Sequence, residues 1–180
     1  VEQVPEVAES IAVGQDWDSI RAGLSSFVSD AQSVPGRFNL FDYRGATLIA
    51  DYGHNPDAII ALTQAVDALP ARRRLVVISG AGDRRDVDLK RQTELLGDAF
   101  DEVILYQDAC QRGRADGEVI GLLREGLSQA KRTTHIEAIN GEFVAIDAAL
   151  SRLQAGDVCL VLIDQVEAAL AHIAQRVAEG

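Results

Sequence analysis

The sequence predicts an α/β fold, built on a doubly wound and mostly parallel sheet. Two observations lead to this prediction. After Arg37, short apolar runs alternate with amphipathic segments, and the runs LVVIS, EVILY and VCLVLI contain almost no polar residue. Unbroken apolar runs are typical of strands that are covered on both faces. Regular strand–helix alternation is typical of a parallel sheet with helices on both sides.

The individual elements follow in chain order from residue 38. FNLF and TLIADY form a hairpin-like pair joined by Asp42-Tyr43-Arg44-Gly45, which has the composition of a turn. Strands are predicted at 75–79, 102–106, 134–139 and 157–163, and helices at 56–69, 88–100, 116–127, 141–154 and 165–178. Apolar residues at helical spacing support the helices. The result is a Rossmann-like sheet of about six strands with one antiparallel edge strand.

Residues 1–34 have a different pattern, with two helical segments broken near Gly14 and no strand. The stretch 33–36 (SVPG) has the composition of a joint. We therefore predict a helical extension at 1–34, which would be the end of a preceding domain, and an α/β domain at 35–180. The sequence contains no methionine, so we expect the chain to be a piece of a longer protein.

The composition argues against several function classes. The chain has 180 residues, 47% of them hydrophobic, and a formal net charge of −11, which repels nucleic-acid phosphates. No apolar run approaches the roughly 18 residues of a membrane span. The two cysteines and three histidines show no zinc-binding spacing. We expect a globular, cytoplasmic protein that has neither nucleic acid nor a membrane as a partner.

Polar residues follow each predicted strand, at the edge where ligands bind in open parallel sheets. The first of these corners is DYGHN, residues 51–55. Asn55 before Pro56 predicts a helix N-cap, whose free N–H groups attract anions. Asp51 is placed to accept from a ribose hydroxyl, and His54 to donate to a phosphate or carboxylate. Alternatively, Asn55 only caps the helix, Asp51 only orients the turn and His54 is solvated.

The second corner, GAGDRRD, begins with Gly80-x-Gly82, as the dinucleotide-binding fingerprint does. Arg85 stands where that fingerprint has its third glycine, so the match is weak. A tight turn with solvated charges explains the same residues. The chain has no G-x-x-x-x-G-K-[ST] segment, so it lacks the phosphate cradle of a nucleotide-hydrolysing site.

The third corner, QDACQRGRADGE, carries charges of both signs and could hold a zwitterion. Arg112 or Arg114 would bind a carboxylate, and Asp108 or Asp116 a cation. An ordinary polar loop is the equally favoured alternative.

Two paired motifs resemble the C-terminal domain of the Mur ligase superfamily. These are Pro35-Gly36-Arg37 and the D-Y-x-H-N-P corner at 51–56. GAGDRRD is similar to the superfamily's G-x-G-G-D-R segment, and Asp108 to Arg112 to its D-x-x-x-R loop. The resemblance covers residues 35 to about 165. The segments PGRFNLF, DACQRGRADGEV and CLVLIDQVEAALAHI are most similar to the cyanophycin synthetase branch.

This resemblance implies ATP-dependent amide formation, in which a carboxylate is phosphorylated and an amine displaces the phosphate. A central domain would carry the P-loop and most Mg²⁺ ligands, and this domain would close over ATP and position the incoming amino acid. For the cyanophycin synthetase branch, arginine is joined to a poly-aspartate or aspartyl-arginine acceptor. The remaining partners would be the rest of the polypeptide and further copies of it in a homo-oligomer. We expect the isolated chain to be inactive.

The resemblance also implies residue roles. Arg37 would contact the nucleotide phosphates and Asp51 the ribose, while His54 and Asn55 would contact the nucleotide or the reacting carboxyl. Asp51 and His54 are thereby the candidate catalytic residues. The candidates for substrate binding are Asp83, Arg84, Asp108, Arg112, Arg114 and Asp116, with Asp164 as a further possible partner of a guanidinium group.

Two other functions stay open from the residues alone. A nucleotide- or dinucleotide-binding module would use Gly80, Gly82 and Asp108, although Arg85 argues against it. A non-enzymatic interaction domain would use the corner residues only as helix caps.

Overall fold

The structure is a computed structural model that describes residues 34–107 and 112–180. The helices predicted within 1–34, and Asp108, lie outside these ranges. The elements, in chain order, are β1 (Asn39–Tyr43), β2 (Ala46–Asp51), α1 (Pro56–Asp67), β3 (Arg74–Ile78), α2 (Asp86–Ala99), β4 (Glu102–Gln107), α3 (Glu118–Gly126), β5 (His135–Asn140), α4 (Glu142–Arg152), β6 (Val158–Leu162) and α5 (Val166–Glu179). A short 3₁₀ turn, Leu127–Gln129, follows α3.

The strands form one six-stranded sheet in the order β1-β2-β6-β3-β4-β5. Only the edge pair β1–β2 is antiparallel, and all other neighbours are parallel. This confirms the predicted fold class. The last strand, β6, lies between β2 and β3, so its carboxyl end is at the centre of the rim.

The helices cover both faces of the sheet. One apolar core contains buried residues of α1, α2 and α3, and the other contains buried residues of α4 and α5. The helix after β6 therefore lies on the opposite face from the helices after β2 and β3. Neighbouring strands whose helices leave on opposite faces open a crevice between their carboxyl ends. Such a crevice lies on each side of β6.

The hairpin between β1 and β2 is tighter than predicted. Tyr43 and Ala46 belong to the strands, and only Arg44 and Gly45 form the loop. Both loop residues have positive φ, 54° and 79°. Two-residue loops of this conformation match the right-handed twist of the flanking strands. Within the described ranges, no helix has both the length and the apolar character needed to cross a membrane.

Buried ion pairs close the amino-terminal edge of the sheet, opposite the rim. The Asp157 side chain is inaccessible to solvent and contacts Arg72 Nε at 3.2 Å and Arg73 Nη2 at 3.1 Å. It also accepts from Gln154 N at 3.0 Å. These contacts join the segment before β3 to the turn before β6.

Candidate functional site

A rigid turn presents Arg37 at the rim. Gly36 N donates to Asn39 Oδ1 at 2.7 Å, and Tyr52 N donates to Gly36 O at 2.9 Å. Gly36 has a φ of +74°, and a Cβ there would lie 2.8 Å from Val166 Cγ1. Glycine is therefore required both for the backbone conformation and for close packing. The turn holds its backbone against β2, while Arg37 itself is exposed.

Asp51, at the carboxyl end of β2, fastens this turn to the first corner. Its side chain is buried, its Oδ2 accepts from Phe38 N at 2.7 Å, and its Oδ1 accepts from Gly53 N at 2.6 Å. Burial raises the pKa of Asp51, and the two hydrogen bonds and Arg37 oppose that rise. Both oxygens already have donors, so a ribose contact would have to replace or share one of these bonds.

His54 offers a hydrogen-bond acceptor at the same corner. Its Nδ1 lies 2.7 Å from Tyr52 O, which can only accept, so Nδ1 carries the proton. Burial lowers the pKa of His54, which keeps the ring neutral at pH 7 and leaves Nε2 unprotonated. Nε2 is buried and has no hydrogen-bond partner within residues 34–107 and 112–180. In this tautomer Nε2 suits an N–H or O–H donor on a ligand and would not donate to a phosphate.

Asn55 caps α1 as predicted. Its Oδ1 accepts from Ala58 N at 2.9 Å, and Pro56 occupies the first turn of the helix. A residue that the sequence did not single out, Gln92 of α2, also supports this corner by donating to His54 O at 2.7 Å. Its position within a helical pattern gave no signal of that contact.

Arg114 fastens the third corner to the second. It donates at 2.7 Å to Gly82 O, to Arg84 O and to both Asp86 and Glu118. The side chain is 17% exposed. Most of its donors are therefore used inside the protein, which leaves little capacity for the substrate carboxylate predicted as its ligand.

Arg112 bridges two other corners. Its Nη1 lies 3.4 Å from both oxygens of Asp83, and its Nη2 lies 3.7 Å from Asp164 Oδ1. Asp83 follows β3 and Asp164 follows β6, so this contact spans the crevice between these neighbouring strands. Sequence spacing had not indicated this arrangement.

Glu142, at the start of α4, orients the corner that follows β6, which contains Asp164 and Gln165. It is buried, and its carboxylate accepts from Asp164 N at 2.8 Å and from Gln165 N at 3.1 Å. Burial raises the pKa of Glu142, and these backbone donors oppose that rise. The only sequence signal was an acid directly after the pair Asn140-Gly141, which follows the predicted strand 134–139.

Most of the predicted site residues therefore share one region of the rim. The charges of Arg37 and His54 both lower the pKa of Asp51. The charge of Asp164 raises the pKa of His54, and that of Arg84 lowers it. Asp116 is exposed just before α3 begins, and Asp108 lies outside the described residues. No group of three or more metal-binding side chains was found in the described part of the chain.

Gly80 of the second corner has a packing role. A Cβ on Gly80 would lie 2.5 Å from Leu89 Cδ2 and 3.0 Å from Val119 Cγ1. Gly80 therefore lets α2 and α3 pack closely at the end of β3. Helix packing therefore accounts for Gly80 without a role in dinucleotide binding.

Comparisons with known proteins agree with this architecture. The family described as "Mur ligase, glutamate ligase domain" matches residues 36–162. Cyanophycin synthetase of Crocosphaera subtropica is 33% identical over 163 residues, which cover 91% of this chain and 19% of that protein. A UDP-N-acetylmuramoyl-L-alanyl-D-glutamate–2,6-diaminopimelate ligase of Alkaliphilus metalliredigens is 28% identical over 156 residues, covering 86% of this chain and 30% of that protein.

Among solved structures, E. coli FolC in complex with ADP is similar, with a TM-score of 0.63 and 26% identity. The match covers 82% of this chain and 33% of that one. The chain thus spans about a fifth of the length of the cyanophycin synthetase that it matches. Gly36-Arg37, the D-Y-x-H-N-P corner and the whole sheet lie in the matched range, and the chain belongs to the Mur ligase, glutamate ligase domain family.

Proposed function

We propose that this chain is the C-terminal domain of an ATP-dependent amide ligase of the cyanophycin synthetase type. In this proposal residues 35–180 close over ATP and position an incoming arginine, and residues 1–34 are the end of the preceding domain. ATP supplies the phosphoryl group that activates the acceptor carboxylate, and Mg²⁺ enters with it, bound mostly by the preceding domain. The 33% identity to a cyanophycin synthetase and the ADP complex of E. coli FolC support the proposal.

The observation that carries this function is the pairing of Arg37 with His54 at one rim. Arg37 is an exposed cation on a turn fixed by backbone hydrogen bonds, so its guanidinium can meet phosphate oxygens with little reorganisation. His54 adds a neutral acceptor close by, for an N–H or O–H donor of the nucleotide or the incoming amine. Asp51 joins the two and acts as a positioning residue.

The chain carries no P-loop, so these groups would work only when the preceding domain brings the phosphates to the rim. Fixed positive charge contributes to phosphoryl transfer by stabilising charge that develops in the transition state. Closure also excludes water, which would otherwise compete with the incoming amine. For this reason we expect the isolated chain to have no ligase activity.

The dinucleotide-binding alternative has less support. Arg85, in the position of the third fingerprint glycine, is exposed and pairs with Asp88 at 2.8 Å, and Gly80 serves helix packing. A non-enzymatic interaction domain would not need a buried acceptor such as His54 Nε2, which has no partner among residues 34–107 and 112–180.

The test is ATP-dependent incorporation of arginine by the full-length protein carrying Arg37→Ala. Loss of a preorganised cation at a transferring phosphoryl group predicts a decrease of roughly 10²-fold or more in kcat/KM. Arg44→Ala is the matched control, because Arg44 is equally exposed but lies in the hairpin loop at the opposite end of β2. Wild-type activity of the Arg37→Ala protein would refute the proposed role of this rim.

A further inference from the structure

Two carboxylates at the rim already hold a guanidinium group, and it belongs to the chain itself. Arg112 reaches Asp83 and Asp164 only at 3.4 and 3.7 Å. Charge-assisted N–H···O bonds normally measure about 2.7–2.9 Å. In the same corner Arg114 makes four contacts at 2.7 Å. The Arg112 guanidinium is therefore held loosely, whereas its neighbour is a fixed structural arginine.

Both acids are positioned without the help of Arg112. Asp164 is held through its backbone N–H by the buried carboxylate of Glu142, which also accepts from the next residue. Asp83 lies in the second corner, whose flanking carbonyls are bound by Arg114. If Arg112 moved away, two carboxylates would remain facing the crevice between β3 and β6.

His54 lies within electrostatic reach of Asp164, whose charge acts to raise the pKa of the histidine. Its Nε2 is a buried acceptor with no partner among the described residues. Buried acceptors without partners are uncommon, because each costs about 1–3 kcal/mol. A hydrogen-bond donor on a ligand bound beside Asp164 would satisfy this acceptor.

We propose that Asp83 and Asp164 form the binding site for the guanidinium group of the incoming amino acid, and that Arg112 occupies this site until the amino acid displaces it. This inference rests on the proposed ligase function and assigns its side-chain specificity. Displacement exchanges one guanidinium for another, so the contacts of Asp83 and Asp164 with a guanidinium group are retained.

The chemistry of the site selects among amino acids. A planar guanidinium presents nitrogen donors on separate edges, so it can address carboxylates on two corners at once. The ammonium of lysine is a compact point charge and spans them less well. Citrulline has almost the shape of arginine but a neutral side chain, so it would replace the charge-assisted contacts of Arg112 with weaker neutral ones.

A competing hypothesis assigns Arg112 to the carboxylate of the substrate, with Asp83 and Asp164 merely orienting it. The two hypotheses predict opposite effects of Arg112→Ala. If Arg112 is a competitor, its removal strengthens arginine binding. If it is a substrate ligand, its removal weakens binding.

The experiment is an NMR titration of the 180-residue chain with L-arginine, L-lysine and L-citrulline. We expect Arg112→Ala to bind L-arginine about tenfold more tightly than the wild type. This is the gain expected if the wild-type site is unoccupied by Arg112 in about one-tenth of the molecules. L-citrulline should bind at least tenfold more weakly than L-arginine to the same variant. Arg91→Ala removes the same charge from a distant exposed pair with Glu94 and should leave the affinity unchanged.

Asp83 and Asp164 are tested in the Arg112→Ala variant. Because Arg112 is absent there, any effect of changing the two acids cannot come from a change in the orientation of Arg112. Adding Asp83→Asn or Asp164→Asn should weaken arginine binding about tenfold or more. Unchanged affinity in these double variants, weaker binding by Arg112→Ala, or no arginine binding by either the wild type or Arg112→Ala would each overturn the inference.

Kinetics of the full-length protein separate this inference from the proposed function. A lower KM for arginine with unchanged kcat in Arg112→Ala supports both. If Arg112→Ala raises the KM for arginine while ligation continues, the proposed displacement of Arg112 is wrong and the ligase function stands. Absence of any arginine ligation by the wild type, with the binding pattern above retained, overturns only the proposed function.

Discussion

At the scale of single residues, His54 combines a structural and a chemical constraint. The ring is held by Tyr52 O and shielded from solvent, which lowers its pKa below the usual 6.5. An unfolded chain would protonate this imidazole at a higher pH than the folded one. The same environment that keeps Nε2 unprotonated, as an acceptor, thus makes folding sensitive to acid.

We therefore predict that His54→Gln weakens the pH dependence of stability. Between its lowered folded pKa and 6.5, the unfolded wild type binds more protons than the native state, so its free energy of unfolding falls as the pH drops through this window. Urea unfolding at pH 7 and pH 5 should show a smaller loss for His54→Gln than for the wild type. His135→Gln, at an exposed histidine, should keep the wild-type slope. Equal slopes for all three proteins would show that burial of His54 is not coupled to folding.

Asn39 is a second residue-scale example, because it shapes the turn that presents Arg37. Its Oδ1 accepts from Gly36 N at 2.7 Å, and its Nδ2 donates to Val34 O at 3.3 Å. We predict that Asn39→Ala destabilises the chain by about 1–3 kcal/mol, because a buried N–H loses its acceptor. In the full-length protein the KM for ATP should also rise. Asn39→Asp keeps the acceptor, so it should restore much of the ATP affinity; failure of this rescue would argue against a positioning role.

Only the local contacts of the site were predictable from sequence. The N-cap role of Asn55 followed from the Asn-Pro pair, and the structure confirms it. Apart from Glu118, the partners of Arg112 and Arg114 come from other corners, about 30 to 50 residues away along the chain, so spacing could not separate a structural arginine from a loosely held one. Gln92 and Glu142 were missed for the same reason, since their contacts depend on strand order.

At the scale of elements, the alternation of strands and helices was predictable because buried strands require continuous apolar runs. Each predicted strand and helix between residues 38 and 178 is present, with ends that differ by a few residues. Strand order was not predicted. No local pattern indicates that β6 inserts between β2 and β3, although this insertion creates the crevices of the site.

The amino-terminal edge allows a prediction at the same scale. Asp157→Asn should lower the free energy of unfolding by about 1–3 kcal/mol, because the charged partner that Arg72 and Arg73 share, and that also accepts from Gln154 N, is lost from a fully buried position. Asp67→Asn is the control, since Asp67 is 56% exposed and its 3.5 Å contact with Arg74 should contribute no more than about 1 kcal/mol. Urea unfolding measures both. Similar losses for the two variants would show that this buried network does not hold the edge together.

At the scale of the whole molecule, the exposed apolar residues are concentrated at the rim. The large hydrophobic side chains that are exposed in the described residues are Tyr52, Ile60, Val87 and Val144. Each follows the carboxyl end of a strand, either in a corner or within the first five residues of the next helix. Exposed apolar residues at the same end of a domain make that end a candidate surface for contact with another domain. The rim is therefore both the candidate site and the surface that we expect the preceding domain to cover.

Val144→Asp tests this coverage, because Val144 is 58% exposed and lies in the first turn of α4. An acid in the first turn of a helix is favourable, so the isolated chain should keep its thermal stability to within about 0.5 kcal/mol. In the full-length protein a buried aspartate at the domain contact should impede closure and reduce arginine incorporation by about tenfold or more. Ser151→Asp places the same charge at the far end of α4, where no closure is expected, and should leave activity unchanged. Equal activity of the two variants would mean that the preceding domain does not close on this part of the rim.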